Sequence, residues 1–177
     1  MEEDARWVSV LEARGLRQPY IKILSLLVNR LLEKFGENLV SVVLYGSAAR
    51  GEARRDSDVD LLLVVRGLPR GAFKRQELFI DVEDSFRVEI EEAEKLGYYI
   101  DFSPILKTPE EAERISPLYL DMVEDAVILF DKDGFFEGVL RRLGERLREL
   151  GAERIRLRKS WYWRLKKDYK FGDVIEL

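Results

Sequence analysis

The sequence predicts an α/β fold of the α+β kind: a mixed β-sheet flanked by helices, followed by a C-terminal helix and an extended aromatic and basic tail. Three observations predict it. Residues 40–45 and 59–65 are short, continuous apolar runs rich in β-branched side chains, the pattern of strands buried on both faces. The segments before and after them carry apolar residues three and four apart, the spacing of helices with one buried stripe. From residue 155 the spacing changes to two, which is extended structure.

Taken in order, residues 2–14 place Trp7, Val8, Val10 and Leu11 at helical spacing, and Gly15 ends that helix. A second helix is expected over 18–35, with Pro19 in its first turn and Ile21, Leu24, Leu27, Val28, Leu31 and Leu32 as its apolar stripe. Both read as packing helices over one sheet face, and Gly36 closes the second before the first strand. After the second strand, residues 66–71 are a loop rich in Gly and Pro. One heavily charged helix is expected over 73–96, burying Phe79, Val82, Phe86, Ile90 and Ala93, its many acids forming a solvated face with intrahelical ion pairs.

Residues 98–106 form a third strand candidate, with Pro104 marking an edge or an end. Thr108, Pro109 and Glu111 have the spacing of a capped helix start, a short helix follows over 116–124, and residues 126–130 are a fourth strand. The sequence DKDG at 131–134 lacks the further oxygen ligands of a calcium loop and reads as a turn. An Arg-rich helix over 135–150 ends at Gly151. Beyond it Ile155, Leu157, Trp161, Trp163 and Leu165 alternate with Arg and Tyr. Two readings fit this tail: basic and aromatic side chains that stack bases and track a phosphate backbone, or a strip packed on the domain or on a partner chain. The whole is read as a single domain over 1–177, with a core at 39–131, N-terminal helices at 1–36 and a C-terminal extension at 135–177.

Composition excludes several classes. The net charge of −4 gives no global reason to bind nucleic acid. There is no apolar run of membrane-spanning length, and Glu2, Glu3 and Asp4 are the wrong sign for a signal peptide, so the reading is a cytoplasmic protein. Charged residues make up 36% of the chain while Cys is absent, a balance typical of organisms growing at high temperature. With no His and no Cys, a zinc or iron site is disfavoured and an all-oxygen site for Mg²⁺ or Mn²⁺ is left.

That site is expected between the two buried strands. Gly46 and Ser47 stop the first strand where a backbone can approach a ligand closely and a hydroxyl stands beside exposed N–H groups, so the pair can hold a phosphate. A helix start from Ala48 would add its N–H groups, and Arg50, Arg54 and Arg55 lie within reach. Asp58 and Asp60 stand two apart at the start of the second strand and project from one face, about 7 Å apart along the backbone. Such a pair repels itself unless a cation lies between them or solvent screens them. Asp101, flanked by Ile100 and Phe102, needs a partner if buried, and the metal-bearing pair would supply one.

The residues Gly46, Ser47, Ala49, Arg50 and Gly51, followed by Ser57, Asp58, Asp60 and Leu61, resemble the G-S-x-A-R-G and S-D-x-D-L signature of the DNA polymerase β-like nucleotidyltransferase superfamily, and within it the minimal nucleotidyltransferase branch. The resemblance spans 39–131 and implies a nucleotidyltransferase-like fold and an enzyme that moves NMP, as AMP from ATP, to a hydroxyl. It implies that Gly46, Ser47, Arg50 and Ser57 bind the nucleotide, and that Asp58, Asp60 and Asp101 are the catalytic, metal-binding acids. It further implies an NTP substrate with Mg²⁺ or Mn²⁺ as cofactor. The acceptor left first is a hydroxyl on a small helical partner protein, as in toxin–antitoxin pairs, and second a small-molecule alcohol. A non-catalytic nucleotide- or partner-binding module stands as the alternative of another class. The flanks exceed a minimal domain and leave room for a distinct acceptor or for a homo-oligomer contact.

Overall fold

The computed structural model describes residues 4–158, 160–168, 170 and 174–177. Its centre is a four-stranded sheet in the order β3-β2-β1-β4, formed by β1 (Leu39–Tyr45), β2 (Val59–Val65), β3 (Phe102–Lys107) and β4 (Val127–Asp131). Strand β1 runs antiparallel to β2 and β4, while β2 and β3 are parallel, so the sheet is mixed as expected. Six of the seven residues in each of β1 and β2 are buried, which is what two continuous apolar runs require.

Alternation along the strands divides this apolar surface between two layers. Val42, Leu44, Leu61, Leu63 and Val65 face a layer built by α1 (Asp4–Ala13), α2 (Tyr20–Phe35), α4 (Ala72–Asp84) and α5 (Arg87–Lys95). Val40, Val43, Leu62 and Val64 face a second layer built by α6 (Pro109–Ala112), α7 (Leu118–Asp125) and α8 (Phe135–Glu149). A parallel pair needs a long crossover, and α4 and α5 provide it between β2 and β3. The antiparallel partners β1 and β2 could be joined by a tight turn. Here the connection instead spans 46–58 and holds the single helical turn α3 (Gly46–Ala49).

Three expectations are corrected. The single helix over 73–96 is two helices, because the backbone leaves the helix at Phe86 (φ −134°), where Ser85 Oγ also donates to Val82 O at 2.6 Å. The break lets Phe86 turn inward and meet the Phe102 ring at 6.1 Å, alongside Phe79 at 5.7 Å. The third strand begins at Phe102, so Asp101 precedes it. In the 131–134 stretch, Asp131 closes β4 and caps α8: its carboxylate accepts from the N–H groups of Phe136 and Glu137, and from Ser41 Oγ at 2.6 Å. Ser41 is fully buried in β1, and this bond satisfies it.

The capping box at Thr108 and Glu111 forms as the spacing predicts. The tail is an antiparallel pair, β5 (Glu153–Arg156) with β6 (Trp161–Arg164). Trp163 and Leu165 pack against the second layer, which favours the packing reading of this segment. Residues 159, 169 and 171–173 of the tail lie outside the described residues. Among the described residues no helix is long and apolar enough to cross a membrane.

Candidate active site

The connection from β1 to β2 is shaped by two glycines that tolerate no side chain. Gly46 has φ +70°, and a Cβ there would stand 2.0 Å from Asp60 Oδ2. This follows from register, since Tyr45 pairs with Asp60 across the two strands and the turn must start against that carboxylate. Gly51 has φ +73°, and a Cβ there would stand 1.8 Å from the carbonyl oxygen of Arg14 at the end of α1. The first glycine therefore makes room for an acid of the site, and the second for the N-terminal helix. The sequence alone assigned the Gly46 space to a ligand; in the fold the Asp60 side chain fills part of it.

Arg14 clamps the turn from outside, its guanidinium donating to Ala49 O at 2.7 Å and to Asp125 O at 2.5 Å. Within the turn, Arg50 N donates to Gly46 O and Glu52 N to Ser47 O, which closes the single turn of helix. Ser47 is half-buried at its start. Ser57 accepts from Arg54 N at 2.9 Å, so its hydroxyl shapes the approach to Asp58. Arg55 lies over the Tyr98 ring at 5.0 Å.

Asp60 alternates with Leu62 and Val64 and so belongs to the sheet face covered by the second layer. Burial pushes its carboxyl above the usual carboxylate range, the nearby Asp58 charge pushes it further, and Arg50 opposes both. Asp58 itself is exposed at the strand's mouth. Tyr45, beside Asp60, is pushed up to about 12 by burial and by that carboxylate. The donors here are oxygens alone, and the Asp58–Asp60 repulsion is what a bound cation would relieve, so the pair suits a hard divalent ion. Mg²⁺ commonly takes only one or two protein carboxylates and completes its shell with water and phosphate.

Asp101 stands differently. Its carbonyl accepts from Val59 N at 2.7 Å, so its main chain lies alongside the residue between the two site aspartates. Its side chain is exposed and lines a pocket with Glu83, Arg87, Glu91 and Tyr99. Burial and the Asp101 charge together raise the Glu83 carboxyl. Among the described residues no group of three acids is gathered closely enough to hold a metal ion.

The largest departure from the sequence reading is a polar assembly on the far side of Arg50. The α7 acids Asp121, Glu124 and Asp125 meet Arg154 of β5: Asp125 takes it in a two-pronged bond of 3.0 and 2.6 Å, and Glu124 accepts at 3.0 Å. Asp121 Oδ1 accepts from the indole N–H of Trp161 at 2.8 Å and of Trp163 at 2.9 Å. The sequence carried half of the signal, since acids at i, i+3 and i+4 share one helix face, but their partners come from two strands, Arg154 of β5 and Trp161 and Trp163 of β6.

Comparison with known proteins bears on this site. The family described as "Nucleotidyltransferase domain" matches residues 24–130, which contain Gly46, Ser47, Asp58, Asp60 and Asp101. A protein of Methanocaldococcus jannaschii, whose name marks it provisionally as a protein adenylyltransferase, is 31% identical over 141 residues, covering 78% of this chain and 90% of its own. Among solved structures, a chain of a toxin–antitoxin complex with AMP-PNP superposes with a TM-score of 0.43 at 17% identity, over 71% of this chain and 90% of that one. A chain from a complex of tri-AMPylated Shewanella oneidensis HEPN toxin with MNT antitoxin gives 0.40 at 13%, over 73% and 92%. The extent of the family match and the identity to the archaeal relative decide the matter: the chain belongs to the nucleotidyltransferase domain family and is a nucleotidyltransferase.

Proposed function

We propose that the chain transfers AMP from ATP to a hydroxyl of another protein, using Asp58 and Asp60 as the acids that hold Mg²⁺ or Mn²⁺. The observation that carries this reading is the packing of Gly46 against the Asp60 carboxylate, which sets the phosphate turn and the acidic pair in direct contact. The similarity to the archaeal relative supports adenylyl as the group and protein as the acceptor.

Gly46 and Ser47 offer main-chain N–H groups and a hydroxyl to the triphosphate, and Arg50 adds positive charge where pyrophosphate leaves. The acceptor oxygen attacks the α-phosphorus in line, a new O–P bond forms, and the bond to the β-phosphate oxygen breaks with its electrons going to pyrophosphate. The proton of the acceptor passes to Asp101 or to water. We assign Asp101 as the third acid, which would help to hold the ion, since its main chain is already bonded to Val59 between the pair. A divalent ion bound by the pair would supply charge neutralisation of the triphosphate and a lower pKa for the attacking hydroxyl.

The test is incubation of the full chain with ATP labelled on its α-phosphate, Mg²⁺ and a lysate of the source cells. Label is expected on a protein, and Asp58→Asn and Asp60→Asn are each expected to cut the rate by about a hundredfold or more. Retained transfer in both variants would overturn the assignment of the pair. Label on a small molecule would move the acceptor to an alcohol, and tight ATP binding with no label on anything would leave a binding module.

A further inference from the structure

Arg50 is held from three sides before any ligand arrives. Its Nε donates to Glu52 at 2.8 Å, a terminal nitrogen stands 3.8 Å from Asp125 Oδ2, and its guanidinium carbon lies 4.7 Å from the centre of the Trp161 ring. Trp161 is itself fixed. Its indole N–H donates to Asp121, and the Arg154 guanidinium lies 4.3 Å from its ring centre. The Arg154 side chain is only 5% exposed and is anchored on Asp125, so the support of the ring is rigid. Trp161 also lies outside residues 24–130, the part of the chain that matches the family.

A free arginine side chain loses roughly 2 kcal/mol of rotamer freedom when a ligand fixes it, and a side chain fixed beforehand avoids much of that loss. Glu52 is itself largely exposed, and Asp125 lies at the outer limit of ion pairing, so the indole face is the firmest of the three restraints. The main chain of Arg50 belongs to the turn itself, its N–H donating to Gly46 O at 3.3 Å, so the restrained side chain is rooted at the phosphate-binding residues.

We propose that Trp161 is a positioning residue for the nucleotide: by stacking on Arg50 it keeps that guanidinium aimed at the phosphate turn, so that a strand of the C-terminal extension completes the triphosphate site. The proposal rests on the phosphate-binding role given to Arg50 above. Trp161 touches no reacting atom and acts through Arg50 alone, so its loss weakens nucleotide binding and leaves the chemical step in place.

The experiment measures MgATP affinity by calorimetry, with KM and kcat for transfer, in the full chain and in Trp161→Ala, Trp161→Phe, Arg50→Ala and the Trp161→Ala/Arg50→Ala double variant. Trp161→Ala is expected to raise Kd and KM about five- to tenfold, the size of a partly desolvated cation–π contact. Its kcat is expected to stay within about twofold of the parent, the signature of lost binding shared by ground and transition states. Trp161→Phe keeps a ring face without the indole N–H and should recover most of the affinity. In the Arg50→Ala background the Trp161 change should cost nothing further.

Equal affinity in Trp161→Ala and the parent chain would overturn the proposal, as would tighter binding in Trp161→Ala, which would make the stack a brake. The same penalty with and without Arg50 would overturn it too, because the ring would then act through the fold. If the parent chain takes up no MgATP, the proposed function falls and this role falls with it. Equal affinities remove the role of Trp161 alone.

Discussion

Two of the antiparallel strand pairs, β1–β2 and β5–β6, are held by different means. In the β1–β2 pair nearly every side chain is buried and both faces are covered by helices. In the β5–β6 pair no residue is fully buried, and beside the packing of Trp163 the pair is tied down by charge and indole N–H groups: Glu153 to Arg164 and Lys167, Arg154 to the α7 acids, and two tryptophans to Asp121. Apolar burial is not subject to charge screening, whereas ion pairs are screened and depend on the charge at each end. The first pair therefore makes a permanent frame, and the second makes a docked element whose hold depends on conditions. Arg50 sits between them, rooted in the first and stacked on the second.

Removing one side chain from each pair tests that contrast. Leu62→Ala, in the centre of β2 with no exposure, is expected to cost about 2–5 kcal/mol by chemical denaturation, with little dependence on salt. Arg154→Ala should cost less, on the order of 2 kcal/mol, because the carboxylates it leaves behind are mostly part-exposed and can be rehydrated. Its cost should also shrink when ionic strength is raised toward 1 M. A salt-independent loss at Arg154 equal to that at Leu62 would break the comparison, since both pairs would then be held by packing.

The smallest expected effect concerns an ion pair between α4 and α6, Arg75 with Glu111. Glu111 takes Arg75 in a two-pronged bond and closes the capping box with Thr108, which together hold its carboxyl at about 2. Its native pKa is thus below its unfolded value. The stability it adds is complete above the usual glutamate range and is lost as pH falls through that range toward 2. With 41% of the side chain exposed, solvent screening limits the contribution to about 1 kcal/mol or less. The stability gap between the parent chain and Glu111→Gln is expected to be widest at pH 6 to 7 and to narrow by pH 3. A gap that widens in acid would reverse the assigned sign.

Legibility followed the same division. Strands β1 and β2 and the helix α2 could be located from apolar spacing, because burial on a period of two or 3.6 leaves its mark in one segment at a time. The Gly46, Ser47, Asp58 and Asp60 constellation was readable for the same reason: its parts are close in sequence and flanked by those strands. The break at Phe86 was not, since it answers to Phe102 on another element, and the periodicity of 73–96 runs across it without interruption. The α7 acids were also passed over as an ordinary short helix. Their meaning lies in Arg154 and Trp161, some thirty to forty residues away, and one-dimensional patterning does not pair segments at that distance. The side-chain direction of Asp101 was equally beyond reach, because the strand expected to orient it begins one residue later.

Asp121 carries a practical consequence. Two of the three tryptophans in the chain hydrogen-bond to one of its oxygens, while the third, Trp7, is buried in the core on the opposite sheet face. The intrinsic emission of this protein is therefore weighted toward a single small patch. A red shift that precedes loss of helical circular dichroism would report the terminal strands peeling away from an otherwise intact body, with no dye or label attached.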